Sequence, residues 1–188
     1  MISRRKSLQL IAGAGAAAIW SARAFAATYL EIGEAQKLLL PQALTFVPVP
    51  LSLDDAALAE IAAISQTRIP KGYAPHGWAG MADERRIGWI LSDRVVGKYE
   101  LIDYAAGFFS DGAASGVEIL AYRESHGSEI RNAGWRRQFT GRKGPAQLRF
   151  GDDIRSISGA TLSCQHVTEG MQRLSAIVQR LIAGEPRR

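Results

Sequence analysis

One cysteine and three histidines in 188 residues remove several chemistries at the outset. Cys164 alone closes no disulfide within the chain, and there is no Cys-x-x-Cys pair for a structural zinc or a c-type haem. Three histidines without a clustered carboxylate pattern do not make a metal site. No G-x-G-x-x-G run follows a strand pattern, so the dinucleotide fingerprint is missing. No nucleophile triad or paired acid and base is evident, which argues against turnover of a small molecule. The most apolar stretch, Leu8 to Trp20, is rich in alanine and glycine and is too short for a comfortable membrane span.

A strong basic excess is also absent once the N-terminus is set aside. The chain holds 23 Lys+Arg and 18 Asp+Glu, a net charge of +5. Ser3-Arg4-Arg5-Lys6-Ser7-Leu8-Gln9 has the pattern of a twin-arginine export signal, and Ala24-Phe25-Ala26 supplies an A-x-A cleavage site. Residues 1–26 therefore read as a leader, with a periplasmic destination. They contain Arg4, Arg5, Lys6 and Arg23 and no acidic residue, which leaves 19 basic residues against 18 acidic ones in the remainder. No long basic run survives, so no nucleic-acid partner is expected. Arg136-Arg137 and Arg142-Lys143 read as solvated faces, with an anionic partner as the alternative.

The remaining 162 residues suffice for one domain with a proper core. Residues 27–84 read as an N-terminal extension of helices and loops. A helix is expected over 29–40, ended by Pro41, then an extended segment at Thr45–Pro50. A second helix is expected over 53–65 with Leu58, Ile61 and Ile64 as its apolar stripe. Residues 66–84 are rich in glycine, proline and turn formers, and Tyr73-Ala74-Pro75-His76-Gly77-Trp78 within them reads as a loop. From residue 86 the period changes to two. Strands are expected over 86–92 and 95–103 around a turn at Ser92-Asp93-Arg94, continuing through Tyr104–Phe109. Asp111-Gly112 signals a hairpin into a strand over 115–123, with Val117, Ile119 and Ala121 on one face. A short helix follows over 127–139, with Trp135 and Phe139 on one side, then a short strand over 147–150. The clearest element is the last helix, 160–182. Cys164, Val167, Met171, Leu174, Val178 and Leu181 form its apolar stripe, Ser158 is its N-cap candidate, and Gly184 and Pro186 close it. Cys164 reads as packing rather than as a redox thiol. The sum is an α+β fold, a twisted antiparallel sheet with packed helices.

Ser158-Gly159-Ala160-Thr161-Leu162 thus stands where the β-rich region meets the last helix. Small residues strip bulk from the backbone just before a hydroxyl. A helix start carries unpaired N–H groups and the positive end of the macrodipole, so it attracts phosphate.

The pentapeptide resembles the flavinylation motif of the FMN-binding domain family, roughly Asp-x-x-Ser/Thr-Gly-Ala-Thr/Ser. That family includes flavoprotein subunits of the sodium-pumping NADH:quinone oxidoreductase and of Rnf complexes. Asp111-Gly112, Gly116-Val117-Glu118-Ile119-Leu120, Arg123-Glu124-Ser125-His126-Gly127 and Gln138-Phe139-Thr140-Gly141 are similar to the family's blocks in their usual order, over residues 85–183. The resemblance implies FMN as cofactor, esterified through its phosphate to Thr161, with Ser158, Gly159, Ala160 and Leu162 around it. It implies that Glu124 and Ser125 form a loop facing the flavin, where relatives have Glu-Thr-Pro-Gly and this chain has His126 in place of proline. The motif's Asp is replaced by Arg155, and Asp152 and Asp153 are out of register. The function implied is a periplasmic electron carrier. Its partners would be a flavin transferase and a redox protein, such as a membrane-embedded electron-transfer subunit. Two alternatives stay open: a non-redox accessory module of a membrane redox complex with a lapsed attachment site, and a flavin reductase with non-covalent FMN.

Overall fold

The computed structural model describes residues 27–184. The leader pattern and Pro186 lie outside the described residues. Six antiparallel strands form one sheet in the order β1-β6-β5-β4-β3-β2. The strands are β1 (Ala27–Thr28), β2 (Thr45–Val49), β3 (His76–Ala82), β4 (Arg85–Val96), β5 (Leu101–Phe109) and β6 (Ala114–Tyr122). Helices α1 (Ile32–Leu39), α2 (Asp55–Ser65), α3 (Ala133–Arg136) and α4 (Thr161–Ala183) pack around it. The α+β expectation holds.

Both faces of the sheet centre are covered, which is why Ile87–Leu91 of β4 and Tyr104–Phe109 of β5 run apolar without the expected alternation. On one face Trp89, Leu91, Tyr104, Phe108 and Val117 meet Cys164, Val167, Met171, Leu174 and Val178 of α4. On the other, Ile90 and Ala105 meet Ala35, Leu39 and Leu40 of α1 and the residue after it. The α4 stripe read from the sequence is the stripe that is buried. Residues 27–84 contribute β1, β2 and β3 to this same sheet and place α1 and α2 on it.

Several expectations are corrected. Residues 76–82 are strand rather than loop: β3 pairs with β2 on one side and β4 on the other. Ser92-Asp93-Arg94 is not a turn. The strand runs straight through it, because Asp93 accepts a hydrogen bond from Tyr104 Oη (3.0 Å) and Arg94 pairs with Asp103 (3.2 Å). The turn falls instead at residues 97–100. In α2 the buried positions are Ala57, Ile61 and Ser65, and Ile64 is exposed. In β6 the register shifts opposite Asp103 and Tyr104. The bulge puts Tyr122, instead of Ala121, into the main core beside Ile119. Residues 127–139 form three short pieces: a 3-10 turn at Ser128–Arg131, then α3, then a 3-10 turn at Arg137–Phe139. Trp135 and Phe139 do pack together, edge to face at 5.1 Å. Residues 147–150 form no strand; Phe150 makes only an isolated bridge to Ile154. The basic pairs are largely spent internally. Arg136 pairs with Glu118, Arg142 with Asp153, and Lys143 with Asp111.

Candidate flavin site at the mouth of the last helix

Thr161 is the first residue of α4, and its side chain is exposed. Ser158 is not the N-cap. Ala160 holds that position, and among the described residues no side chain caps the first-turn N–H groups. The reason lies at Gly159, whose φ of +87° turns the chain one residue after Ser158 and carries the serine away from the helix axis. Ala160 N then closes a tight turn onto Ile157 O at 3.1 Å. A Cβ on Gly159 would meet nothing within 4 Å, so the approach to the helix mouth is open. Leu162 is 43% exposed, an apolar residue left in solvent beside the threonine.

The segment leading into the motif is clamped from behind. Gln138 brackets the Arg155 backbone: its Oε1 accepts from Arg155 N (2.9 Å) and its Nε2 donates to Arg155 O (3.2 Å). Trp135 Nε1 donates to the same carbonyl at 2.9 Å. The Arg155 side chain itself is exposed. Neither neighbouring acid replaces the motif's missing carboxylate. Asp153 accepts from Arg149 N and Nε (2.9 and 3.1 Å), and Asp152 lies 3.7 Å from Arg149.

The loop after β6 meets the motif. Gly127, at φ +88°, approaches so closely that a Cβ there would lie 2.5 Å from Tyr122 Oη and 3.4 Å from Gly159 O and Ala160 Cα. Tyr122 Oη donates to His126 O (2.5 Å) and lies 3.0 Å from Ser163 Oγ, a buried hydroxyl in the first turn of α4. A strand end, a loop and a helix start are thus joined through one phenol. Tyr122 and Ser163 do not stand out in the sequence; their one signal is a serine two residues beyond the motif threonine. Ser125 Oγ is exposed and lies 3.0 Å from His126 Nδ1.

Glu124 is engaged with the turn between β4 and β5. Its Oε1 accepts from the backbone N–H groups of Tyr99 (2.6 Å) and Glu100 (2.9 Å), so it caps the turn between β4 and β5. Burial pushes its carboxyl up, but donation from the backbone of residues 98–100 outweighs this and holds it below the usual glutamate value. The same turn is tied to α4, because His166 Nδ1 donates to Val96 O at 2.6 Å. Leu162 lies four residues before His166, on the same helix face, and exposed Val96 and Tyr99 flank the turn. The charge on Glu124 therefore stabilises the fold above the ordinary glutamate pKa, and this contribution is lost as pH falls through its lowered value. Glu124→Gln is expected to be less stable than the native chain at pH 7, with the gap closing towards pH 3. Urea unfolding at a series of pH values measures it.

Cys164 is fully buried and its thiol is pushed up by burial, as an inert packing residue should be. None of the seven expected site residues lines the cleft of about 1130 Å³ that lies further along α4, at His166, Glu169 and Arg173. The chemistry that points to phosphate is at the helix mouth, and depth alone does not move it.

Residues 97–176 match the FMN-binding domain family. The match indicates FMN as the cofactor of an FMN-binding flavoprotein. It begins at the turn that Glu124 caps and ends inside α4, so it contains the helix mouth, the Gly127 loop and the Trp135–Gln138 clamp. Tyr73 and the rest of the segment before β4 lie outside it. No curated protein matches the chain.

Proposed function

We propose that this chain is a periplasmic electron carrier whose FMN is joined through its phosphate to Thr161 Oγ1. The observation that carries the reading is an exposed threonine on the first residue of a 23-residue helix that, among the described residues, no side chain caps. When bound, FMN supplies one- and two-electron transfer, which protein side chains do poorly. The chain's own residues supply the rest. The first-turn N–H groups and helix dipole favour the phosphate charge. Gly159 leaves the approach clear, and the Tyr122–Ser163 contact holds the threonine's turn in place. Leu162 offers exposed apolar surface next to it. The twin-arginine pattern in residues 1–26 supports export, and a redox protein partner follows from the carrier role.

The test is expression with and without a periplasmic flavin transferase, followed by intact mass of the exported chain. The expected result is one added FMN moiety, absent from Thr161→Ala. A chain of unmodified mass after co-expression, or a Thr161→Ala variant that keeps covalent flavin, would end the reading.

Position 155 favours a second reading. An arginine stands where the motif has its acid, and Asp152 and Asp153 are occupied by Arg149. On this reading the domain is a non-redox accessory module of a membrane redox complex. Arg155→Asp separates the two: if flavin appears only in that variant, the native attachment site has lapsed.

A further inference from the structure

β4 outruns its neighbour. Pairing with β3 ends at His76–Ser92, whereas Asp93 to Val96 pair only with β5. The chain over residues 68–74 stands off from this open edge, and a cleft of about 1130 Å³ wraps it, closed on one side by α4. Its polar groups are poorly matched. Arg173 of α4 is only 3% exposed, yet among the described residues no carboxylate hydrogen-bonds it; its Nη1 donates to a backbone carbonyl, Arg68 O, at 3.3 Å. Among the described residues its buried Nε meets no acceptor, and the buried Tyr73 Oη finds only the Arg173 guanidinium itself, a cation that leaves the phenol proton free to donate. The guanidinium stands over the Tyr73 ring at 5.6 Å. Asp93 is the carboxyl whose charge is felt most at this cluster, but its Oδ2 already accepts from Tyr104, and burial pushes it towards the neutral form.

A buried guanidinium without a hydrogen-bonded anion is costly, whereas its planar fork matches a carboxylate or phosphate in two parallel bonds. A phenol hydroxyl beside it adds a third donor. We propose that this cleft is a second ligand site, separate from the flavin site, that binds a small molecule through a carboxylate or phosphate group held by Arg173 and Tyr73. Arg68 and Tyr73 come from the segment before the FMN-binding domain match, so the site is built by joining that segment to α4. The proposal does not depend on flavin attachment and stands equally in a Thr161→Ala background.

The test is calorimetric titration of the full exported chain with succinate and, separately, with inorganic phosphate, at constant ionic strength. Saturable binding in the millimolar range or tighter by one anion is expected. Success with succinate alone assigns a carboxylate ligand, and success with phosphate alone assigns a phosphate ester. Tyr73→Phe keeps the ring under the guanidinium and removes only the hydroxyl, and should weaken binding about tenfold, the usual loss of one hydrogen bond to a charged group. Arg173→Lys keeps the charge without the fork and should weaken it further. If Arg173→Lys fails to fold, Tyr73→Phe decides alone. No saturation by either anion would overturn the proposal, and so would binding that Tyr73→Phe leaves unchanged. Arg173 would then be a strap between α4 and residue 68.

Discussion

Gly127→Ala is expected to destabilise the domain by about 3 kcal/mol and, on the proposed attachment to Thr161, to cut covalent flavin incorporation sharply. Two costs combine, each on the order of 1–3 kcal/mol. The first is backbone strain, because φ is +88°. The second is steric: the new methyl would lie 2.5 Å from Tyr122 Oη, whose position is fixed by His126 O and Ser163 Oγ. Relief requires either the loop or the first turn of α4 to move, and that turn presents Thr161. Gly159→Ala is the control. It has the same kind of strain at φ +87° but open space around the added Cβ, so about 1 kcal/mol is expected. Urea unfolding of both variants, with intact mass after co-expression with the transferase, separates strain from collision. Equal losses in the two variants would remove the loop-to-helix contact from the account.

The elements legible in the sequence are those whose signal is local. The α4 stripe is one, since burial on a single face writes a period of three and four into Cys164 through Val178. The Asp111-Gly112 hairpin is another, because Gly112 takes the positive φ of +86° that the turn requires. The missed elements owe their form to distant partners. β3 reads as loop because Gly77 and Gly80 interrupt its alternation, and it becomes a strand only with β2 and β4 on either side. Asp93 and Arg94 look like turn formers until Tyr104 and Asp103 arrive from β5 to satisfy them. At the site the same division holds. A threonine at a helix mouth is visible in five residues. That Glu124 would cap the turn at residues 97–100 is not, because the contact spans 24 or 25 positions. Ser158 reads as the cap from its pattern but is not, for a local reason that the pattern does not carry: the left-handed Gly159 stands between it and Ala160, which takes the N-cap position.

The two glycines and the clamp share a logic. The helix mouth has no cap of its own, so its geometry is imposed from outside, by Gly127 and Tyr122 on one side and by Gln138 and Trp135 on the other. Leaving the first-turn N–H groups free sacrifices about 1 kcal/mol of capping stability and keeps them available to an anion. Pre-organisation by neighbours then replaces the cap.

Trp135 is the test of that second side. Its ring is 3% exposed, packs edge-on to Phe139, and donates Nε1–H to Arg155 O. Trp135→Ala removes a large buried aromatic and is expected to cost about 3–5 kcal/mol. Trp135→Phe keeps most of the packing and loses only the donor. Arg155 O retains Gln138 Nε2 at 3.2 Å, so no carbonyl is left unsatisfied and the expected cost is about 1 kcal/mol. If the clamp sets the approach to the motif, Trp135→Phe should attach flavin at close to the native level. The combination Trp135→Phe with Gln138→Ala, which frees the Arg155 carbonyl altogether, should attach much less while remaining folded by circular dichroism. Full flavin attachment in that folded double variant would show that the segment from Arg155 to Ser158 needs no clamp, and that Gly127 and Tyr122 alone orient the threonine.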